Sequence, residues 1–204
     1  MNLPTFEELL DYLQSDDQQT REAVMNRLLE MGPGIVGALI TTLQSHEHPR
    51  VRQGIAQTLG TIGTPQAIPA LLLALSDSDP GVWSQSVGAL AKMGKSAEKN
   101  LRPAISSQNQ RVKLGSGLAL WRISREEKAF PLLLQALQDE EVLVRGSAIN
   151  SLWIQPDERA VATLQIQLQQ EEGTMAHYIL QALQIIGTPM AQATIQHWMA
   201  EHNP

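Results

Sequence analysis

Residues 49–75 read PRVRQGIAQTLGTIGTPQAIPALLLAL, and they predict two helices joined by a tight turn. Gly63 is expected to end the first helix, because glycine adopts the left-handed conformation of a helix C-cap without strain. A second apolar face runs from Ile68 to Leu75. Neither face can be covered by one such pair alone, so the pair needs a copy of itself on either side. The first apolar face is made by Val51, Ile55, Ala56, Leu59 and Ile62, which recur at helical spacing.

The same pattern recurs along the chain with a period close to 31 residues. Gly32 precedes Gly63 by one period, and Gly187-Thr188-Pro189 repeats Gly63-Thr64-Pro65 four periods later. In the fourth copy, Ser124 is interpreted as the replacement for the capping glycine. We predict one domain over residues 1–204, with a capping helix at 5–13 and repeats at about 16–43, 44–75, 76–105, 106–137, 138–168 and 169–200.

Two local sequence features refine the prediction for individual helices. Thr5 and Glu8 fit a capping box, which predicts where the N-terminal helix begins. The second helix of the third repeat contains few apolar residues, and Pro103 falls well inside it. A proline there removes a hydrogen bond and clashes with the preceding turn. That helix is therefore predicted to be short, late-starting or kinked.

The composition excludes several classes of protein. The chain has 15 Lys and Arg against 21 Asp and Glu, a net charge of -6, which argues against non-specific binding of nucleic acid. It has no cysteine, so disulfides, thiolate metal sites and cysteine nucleophiles are excluded. No apolar run is long enough for a transmembrane helix, and the acidic first residues do not fit a signal peptide. We therefore expect a soluble, cytoplasmic protein.

Three stretches of the sequence resemble HEAT repeats, in the short variety of phycobiliprotein-lyase-type proteins. They are Asp77-Ser78-Asp79-Pro80 with Val82, Pro49-Arg50-Val51-Arg52 with Ala56, Leu59 and Gly63, and Ala67-Ile68-Pro69-Ala70-Leu71-Leu72. The resemblance implies an all-α fold, an armadillo-like right-handed solenoid of about six helix pairs. It also implies second helices on the concave side, and binding of other proteins as the main activity.

The resemblance further implies a structural ladder between neighbouring repeats, in which arginines near the start of first helices pair with linker aspartates. Trp83 and Lys113 are interpreted as the residues that replace the arginine in the third and fourth repeats, where the ladder should be interrupted. The arginines are Arg21, Arg52 and Arg145, and the linker acids include Asp16, Asp17, Asp77, Asp79 and Asp139.

Two anomalies mark the middle of the chain as a candidate binding surface. The segment from Lys92 to Lys128 has a net charge of +6, which leaves -12 for the rest. Trp121 and Trp153 each follow a core leucine and are expected to be neighbours. Both features have a structural alternative, solvated surface for the charges and space filling for the rings. The candidate partner-binding residues are Lys95, Lys99, Arg102, Arg111, Lys113, Trp121, Arg125 and Trp153.

Catalytic and metal chemistry find little support in the sequence. His46-Glu47-His48 is the one cluster that resembles metal ligands, but it is a single His-Glu pair in a linker. We predict no bound metal, no cofactor and no catalytic residue. Gly54, Gly115 and Gly146 are interpreted as small residues that let neighbouring helices approach.

Two functions remain open at this point. The first is a non-enzymatic scaffold or adaptor that grips a protein, such as an acidic segment, on the concave face of repeats three to five. The second, implied by the resemblance alone, is a bilin lyase-like or phycobilisome-associated chaperone subunit, which would handle a tetrapyrrole or a bilin-bearing protein. Neither hypothesis includes nucleic acid or a membrane span.

Overall fold

The computed structural model describes residues 4–202, and this part of the chain holds thirteen α-helices and no strand. Residues 1–3 and 203–204, the ends of the predicted domain, lie outside the described residues. The helices are α1 Phe6–Tyr12, α2 Gln18–Glu30, α3 Val36–Ser45, α4 Pro49–Ile62, α5 Ile68–Ala74, α6 Pro80–Lys92, α7 Lys95–Ala104, α8 Gln110–Ser124, α9 Phe130–Ala136, α10 Val142–Ile154, α11 Val161–Leu168, α12 Gly173–Ile186 and α13 Pro189–His202.

After α1, the helices form six consecutive pairs from α2–α3 to α12–α13, which confirms the all-α solenoid. Thr5 and Glu8 form the predicted capping box at the start of α1. Short 3-10 turns lead into four of the second helices, at Pro33–Ile35, Pro65–Ala67, Glu127–Ala129 and Glu158–Ala160. The second helices α3, α5, α7, α9 and α11 each pack closely against the first helix of the following pair, so the pairs stack around one apolar core.

The turns within the pairs keep the 31-residue period. Gly32, Gly63, Gly94 and Gly187 all have positive φ, as a helix C-cap or the residue after it requires. In the fourth repeat this place is taken by Arg125, with φ of 51°, and not by Ser124. Arg125 is the only non-glycine residue between 4 and 202 with positive φ.

This cap corrects the predicted register of the fourth repeat. The backbone N–H of Arg125 bonds to the carbonyl of Trp121, as that of Gly63 bonds to Leu59. Trp121 therefore occupies the core leucine position and does not follow it. The arginine position of the ladder is likewise held by Leu114, and not by Lys113. The error has a physical cause, because all eight residues from Leu114 to Trp121 are buried and no polar face marks the frame.

The second helix of the third repeat is also better formed than predicted. It begins directly after Gly94 and runs for ten residues, longer than α5 or α9. Pro103 lies in its last turn, so only one residue of the helix follows the hydrogen bond that the proline removes. Only Ala97 and Leu101 are buried, so α7 is a regular helix with a broad exposed face.

The array bends sharply at the fourth repeat. Ser84 in α6 and Ser147 in α10 share a hydroxyl hydrogen bond of 2.7 Å, although they belong to the third and fifth repeats. The helix between them, α8, is buried from Leu114 to Trp121 beneath both. The first helices thus lie on the inside of this bend, and the expectation of second helices on the concave side is wrong here.

No helix in the described part of the chain is both long and apolar enough to cross a bilayer alone. The α2 segment and the following Pro33–Ser45 segment pass the same test only as a pair, and they are bent by 100°.

Candidate functional site

The arginine ladder ties each first helix to the linkers around it. In the repeats that carry the arginine, its Nη1 donates to two carbonyls of its own linker, six and five residues earlier in the chain. The pairs of acceptors are Ser15 and Asp16 for Arg21, His46 and Glu47 for Arg52, and Asp139 and Glu140 for Arg145, at 2.7–2.9 Å. These bonds satisfy linker carbonyls that would otherwise lack a partner.

The acidic partners come from the following linker, and they include Asp77 of the aspartates named above but neither Asp79 nor Asp139. Arg52 binds Asp77 through Nε and Nη2 at 2.8 and 2.9 Å, and Arg145 pairs with Glu171. Burial is the largest single effect and opposes ionisation of Asp77. The hydrogen bonds from Arg52 and from the backbone N–H of Asp79, together with the charges of Arg52 and Arg111, outweigh it and lower the Asp77 pKa. Asp79 instead caps α6 and accepts from Gln53. Asp139 contributes its carbonyl to the bonds of Arg145 and not its carboxylate.

The ladder is interrupted in the third repeat, where Trp83 replaces the arginine. The buried indole donates its N–H to the carbonyl of Arg111 at 2.9 Å, so the contact between neighbouring repeats is kept in a neutral form. In the fourth repeat Leu114 fills the position with a buried apolar side chain.

Half of the predicted basic surface is neutralised within the protein. Arg102 contacts Glu98 and Glu126 at 3.2 and 3.3 Å, and Arg111 contacts Glu141 at 2.7 Å. Lys95 and Lys99 are exposed on α7, one helical turn apart, and make no ion pair within the described residues. Lys113, at the start of α8, is half-buried.

Arg125 belongs to a charged cluster at the turn edge of repeats four and five. Arg125 and Arg159 both donate to the buried carboxylate of Asp157, at 3.0 and 2.8–2.9 Å. The hydrogen bond from Arg159, supported by that from Arg125, lowers the pKa of Asp157 to about 2 despite its burial. Arg159 also lies over the ring of Phe130, 4.0 Å from its centroid. The cluster joins the two turns and leaves little unpaired charge.

The two tryptophans have different surroundings. Trp121 is fully buried, packs 5.2 Å from Phe130 and donates to the carbonyl of Gln155 at 3.0 Å. The interpretation of Trp121 as a surface anchor is therefore wrong. Its ring fills space between helices, as expected of a core leucine position occupied by a larger residue. Trp153 is half-buried and packs edge-on against Tyr178, with centroids 5.3 Å apart.

The inside of the bend carries a groove of about 380 Å³, here called the first-helix groove. Its walls come from the first helices of repeats three to six, and no acidic residue lines it. Gly146 lies in the groove, and a Cβ at this position would meet a single atom within 4 Å. This glycine therefore leaves space and does not serve close packing, whereas Gly54 and Gly115 do serve it. The lining residues are Ser84, Gln85, Gly88, Arg122, Leu143, Gly146, Ser147, Asn150, Trp153 and Tyr178.

Arg122 is the charged group of this groove. Its Nε donates to the hydroxyl of Ser151 at 2.8 Å and its Nη2 to the carbonyl of Ser147 at 2.6 Å, both on α10. No carboxylate within the described residues pairs with it. Burial lowers the Arg122 pKa to about 10, so the side chain is still a cation near neutral pH. The groove therefore contains a fixed positive charge together with the aromatic side chains of Trp153 and Tyr178.

The repeat period itself predicts the position of Arg122 in the groove. The one-residue shift in the predicted fourth repeat hides this. With Gly63 and Arg125 aligned as caps, Arg122 corresponds to Gly60 in the second repeat and Trp153 in the fifth. Equivalent positions of adjacent repeats lie side by side, so the neighbour of Trp153 is Arg122 and not Trp121. The period counted from the caps would have placed the two residues together.

The histidine cluster has a structural role in this arrangement. The Nδ1 atom of His46 accepts from the backbone of His48 at 3.1 Å, and that of His48 accepts from Arg50 as the N-cap of α4. Across residues 4–202, no three His, Asp or Glu side chains converge in a way that could hold a metal ion.

Comparison with known families extends this description. The family model of HEAT repeats matches residues 6–91 and 98–184, which confirms the resemblance predicted from the repeat pattern. The bilin biosynthesis protein PecE of Nostoc sp. (strain PCC 7120) is 24% identical over 145 residues, 71% of this chain and 57% of PecE. PecE of Mastigocladus laminosus is 26% identical over 121 residues, 59% of this chain and 45% of the relative. The chain thus spans about half the length of these curated relatives.

A solved structure shares the fold. The complex of CpcE and CpcF of phycocyanin lyase from Nostoc sp. PCC7120 includes a chain that matches with a TM-score of 0.51 and 18% identity. The match covers all of this chain and 90% of the other. At this identity the likeness concerns the architecture alone.

Proposed function

This chain belongs to the HEAT-repeat family, and we propose that it is a bilin-handling subunit, related in role to the bilin biosynthesis proteins that it resembles. The observation that carries the proposal is the sequence similarity to two PecE proteins, over 71% and 59% of this chain. It favours the bilin hypothesis over a general scaffold, because the relatives are tied to one class of chromophore.

The first-helix groove supports the same proposal on chemical grounds. A bilin is a flat, conjugated chain of four pyrrole rings that carries propionate carboxylates. Trp153 and Tyr178 offer aromatic surface, and Arg122 offers an unpaired cation beside them. Aromatic contact combined with a few placed polar groups is typical of small-molecule sites.

A second protein is part of the proposed activity. CpcE, whose fold this chain shares, was solved in complex with CpcF. We extend that arrangement to this chain as a proposal, with a protein partner that either carries the bilin or completes the subunit. Lys95 and Lys99 on the exposed face of α7 would attract an acidic surface of that partner, since their charge is unpaired.

A titration of the full chain with free biliverdin tests the bilin part of the proposal. Binding is expected to shift or sharpen the visible absorption band of the pigment and to quench tryptophan fluorescence, in a saturable way. Serum albumin, which binds many pigments, serves as a positive control for the assay, and the heat-denatured chain as a negative one. An unchanged spectrum at saturating protein would contradict the proposal.

An affinity capture tests the partner part. Tagged chain should retain a small set of proteins that includes a phycobiliprotein or a second HEAT-repeat subunit, and the Lys95→Glu, Lys99→Glu variant should retain less of it at low salt. If the captured proteins have no link to bilins and the pigment spectrum is unchanged, the general adaptor becomes the better description.

A further inference from the structure

Arg122 is anomalous among the arginines of this chain. Arg52, Arg102, Arg111, Arg125, Arg145 and Arg159 each contact a carboxylate, but Arg122 is bound only by a hydroxyl and a backbone carbonyl. Arg21 is also bound only by carbonyls, but the nearby carboxylates of Asp16 and Asp17 interact with its charge. It is nevertheless the arginine whose charge is most opposed by burial. A buried ion without a counter-ion is costly, so folding alone gives no reason to keep it.

The guanidinium of Arg122 is held in a fixed orientation, but not all of its nitrogens donate a hydrogen bond within residues 4–202. Nε and Nη2 are bonded to Ser151 and Ser147 on α10, which orients the plane of the group. Nη1 makes no hydrogen bond within residues 4–202, and it is not among the fully buried polar atoms that lack a partner. Since Arg122 lines the first-helix groove, Nη1 is the part of the cation that a ligand in the groove can reach.

The rest of the wall suits a ligand with an apolar body. Tyr178 and Leu143 are 38% and 47% exposed, so the wall offers apolar surface to a ligand. Gln85 and Asn150 add neutral polar groups, and no carboxylate competes for the cation.

We propose that the first-helix groove is a binding site for a carboxylate carried on a flat conjugated ring system. Nη1 of Arg122 donates to the carboxylate, and Trp153 with Tyr178 packs against the rings. The identity of the natural carboxylate as a bilin propionate rests on the proposed function. The site itself, an anion-binding arginine beside an aromatic wall, does not.

A matched pair of fluorescent probes tests the site without any bilin. Pyrenebutyrate carries a carboxylate on a flat aromatic body, and pyrenebutanol has the same body without the charge. Fluorescence anisotropy should show pyrenebutyrate bound by the full-length chain, and bound about 10- to 100-fold more weakly by Arg122→Gln, as expected for the loss of one charge-assisted hydrogen bond. Pyrenebutanol should bind weakly to both.

Two further variants separate binding from folding. Arg122→Lys keeps the charge and should retain part of the preference for pyrenebutyrate, even if Arg122→Gln loses stability. Arg102→Gln is the control, because Arg102 is exposed on α7 and already paired with two glutamates. It should bind pyrenebutyrate as the parent does. The proposal is overturned if the parent does not prefer the carboxylate probe, or if both Arg122 variants bind it as tightly as the parent.

Biliverdin and its dimethyl ester then separate this proposal from the proposed function. Weaker binding of the ester, with no further loss in Arg122→Gln, would identify the propionate as the group that Arg122 holds. If pyrenebutyrate depends on Arg122 but biliverdin is not bound, the site stands and the bilin function fails. If biliverdin binds equally to the parent and to Arg122→Gln, while pyrenebutyrate also ignores Arg122, the function stands and this site is wrong.

Discussion

Arg122 and Trp153 occupy equivalent positions in consecutive repeats. The space available at this position differs along the solenoid. The equivalent glycine, Gly60, lies so close to α6 that a Cβ would sit 2.5 Å from Ala89. Two repeats later the bend opens this position to the inside of the array, where a long side chain fits. The same position of the repeat therefore allows close packing in the second repeat and lines the first-helix groove in the fourth and fifth.

The contact at Gly60 gives the first prediction. Gly60→Ala should destabilise the protein by about 1–3 kcal/mol, because the three nearest atoms that the new Cβ meets all belong to Ala89, two of them to its backbone, and cannot move aside cheaply. Gly37→Ala is the matched control, since Gly37 is an exposed residue of α3 with nothing within 4 Å of a Cβ. It should be neutral or slightly stabilising through helix propensity. Equal urea midpoints for the two variants would contradict the close approach of α4 and α6.

Asp157 gives a prediction for pH. Its folded-state pKa, about 2, lies below the ordinary aspartate value of 3.8, so its ionised form favours the folded state. This contribution is fully present above pH 4 and is lost as the pH falls through about 2. Because Arg125 and Arg159 are half exposed, solvent screening limits it to about 1 kcal/mol.

Asp157→Asn removes that dependence while keeping the shape of the side chain. The variant should unfold about 1 kcal/mol more easily near pH 7, and the difference from the parent should shrink as the pH approaches 2. Urea unfolding at a series of pH values measures it. A constant difference between the two proteins from pH 7 to pH 2 would show that the carboxylate charge is not the cause.

At the scale of single helices, the apolar faces carry the stability. Leu59 is fully buried in α4, whereas Leu73 in the neighbouring α5 is 58% exposed. Leu59→Ala should cost about 2–5 kcal/mol, and Leu73→Ala should stay within about 0.5 kcal/mol of the parent. Chemical denaturation of the two variants compares the same deletion in two environments. A loss below about 0.5 kcal/mol for Leu59→Ala would remove this residue from the core.

The helices that sequence predicts well are those with clear local signals. Gly63 and the Thr5–Glu8 capping box fix helix ends through backbone chemistry alone, and both are found where predicted. In α8 the local signal fails, because the helix is buried on all sides and its apolar residues no longer show a period. The register error that hid Arg122 follows directly from that burial.

Pro103 is a clear local signal that nevertheless leads to a wrong prediction. Its cost in a helix interior is real, but α7 begins so soon after Gly94 that the proline falls in the last turn. Sequence patterns also do not predict which acidic residue pairs with each arginine of the ladder. Whether Arg52 meets Asp77 or Asp79 depends on how the linker turns, which composition does not determine.

At the scale of the whole molecule, the bend at repeat four forms the first-helix groove. Where first helices two repeats apart touch, their side chains face one another across the inside of the curve. This places Arg122 and Trp153 in one groove and points Lys95 and Lys99 of α7, a second helix, away from it. A small ligand and a protein partner would therefore use opposite sides of the array.

The first-helix groove depends on this bend, and the absence of cysteine from the sequence makes the bend directly measurable. The hydroxyls of Ser84 and Ser147 are 2.7 Å apart, so cysteines at the two positions are within reach of a disulfide. The Ser84→Cys, Ser147→Cys variant should form an intramolecular disulfide in high yield under mild oxidation, seen as loss of both free thiols in a monomer. Each single variant should keep its thiol. Two free thiols in the folded double variant would contradict the contact between α6 and α10, and with it the groove.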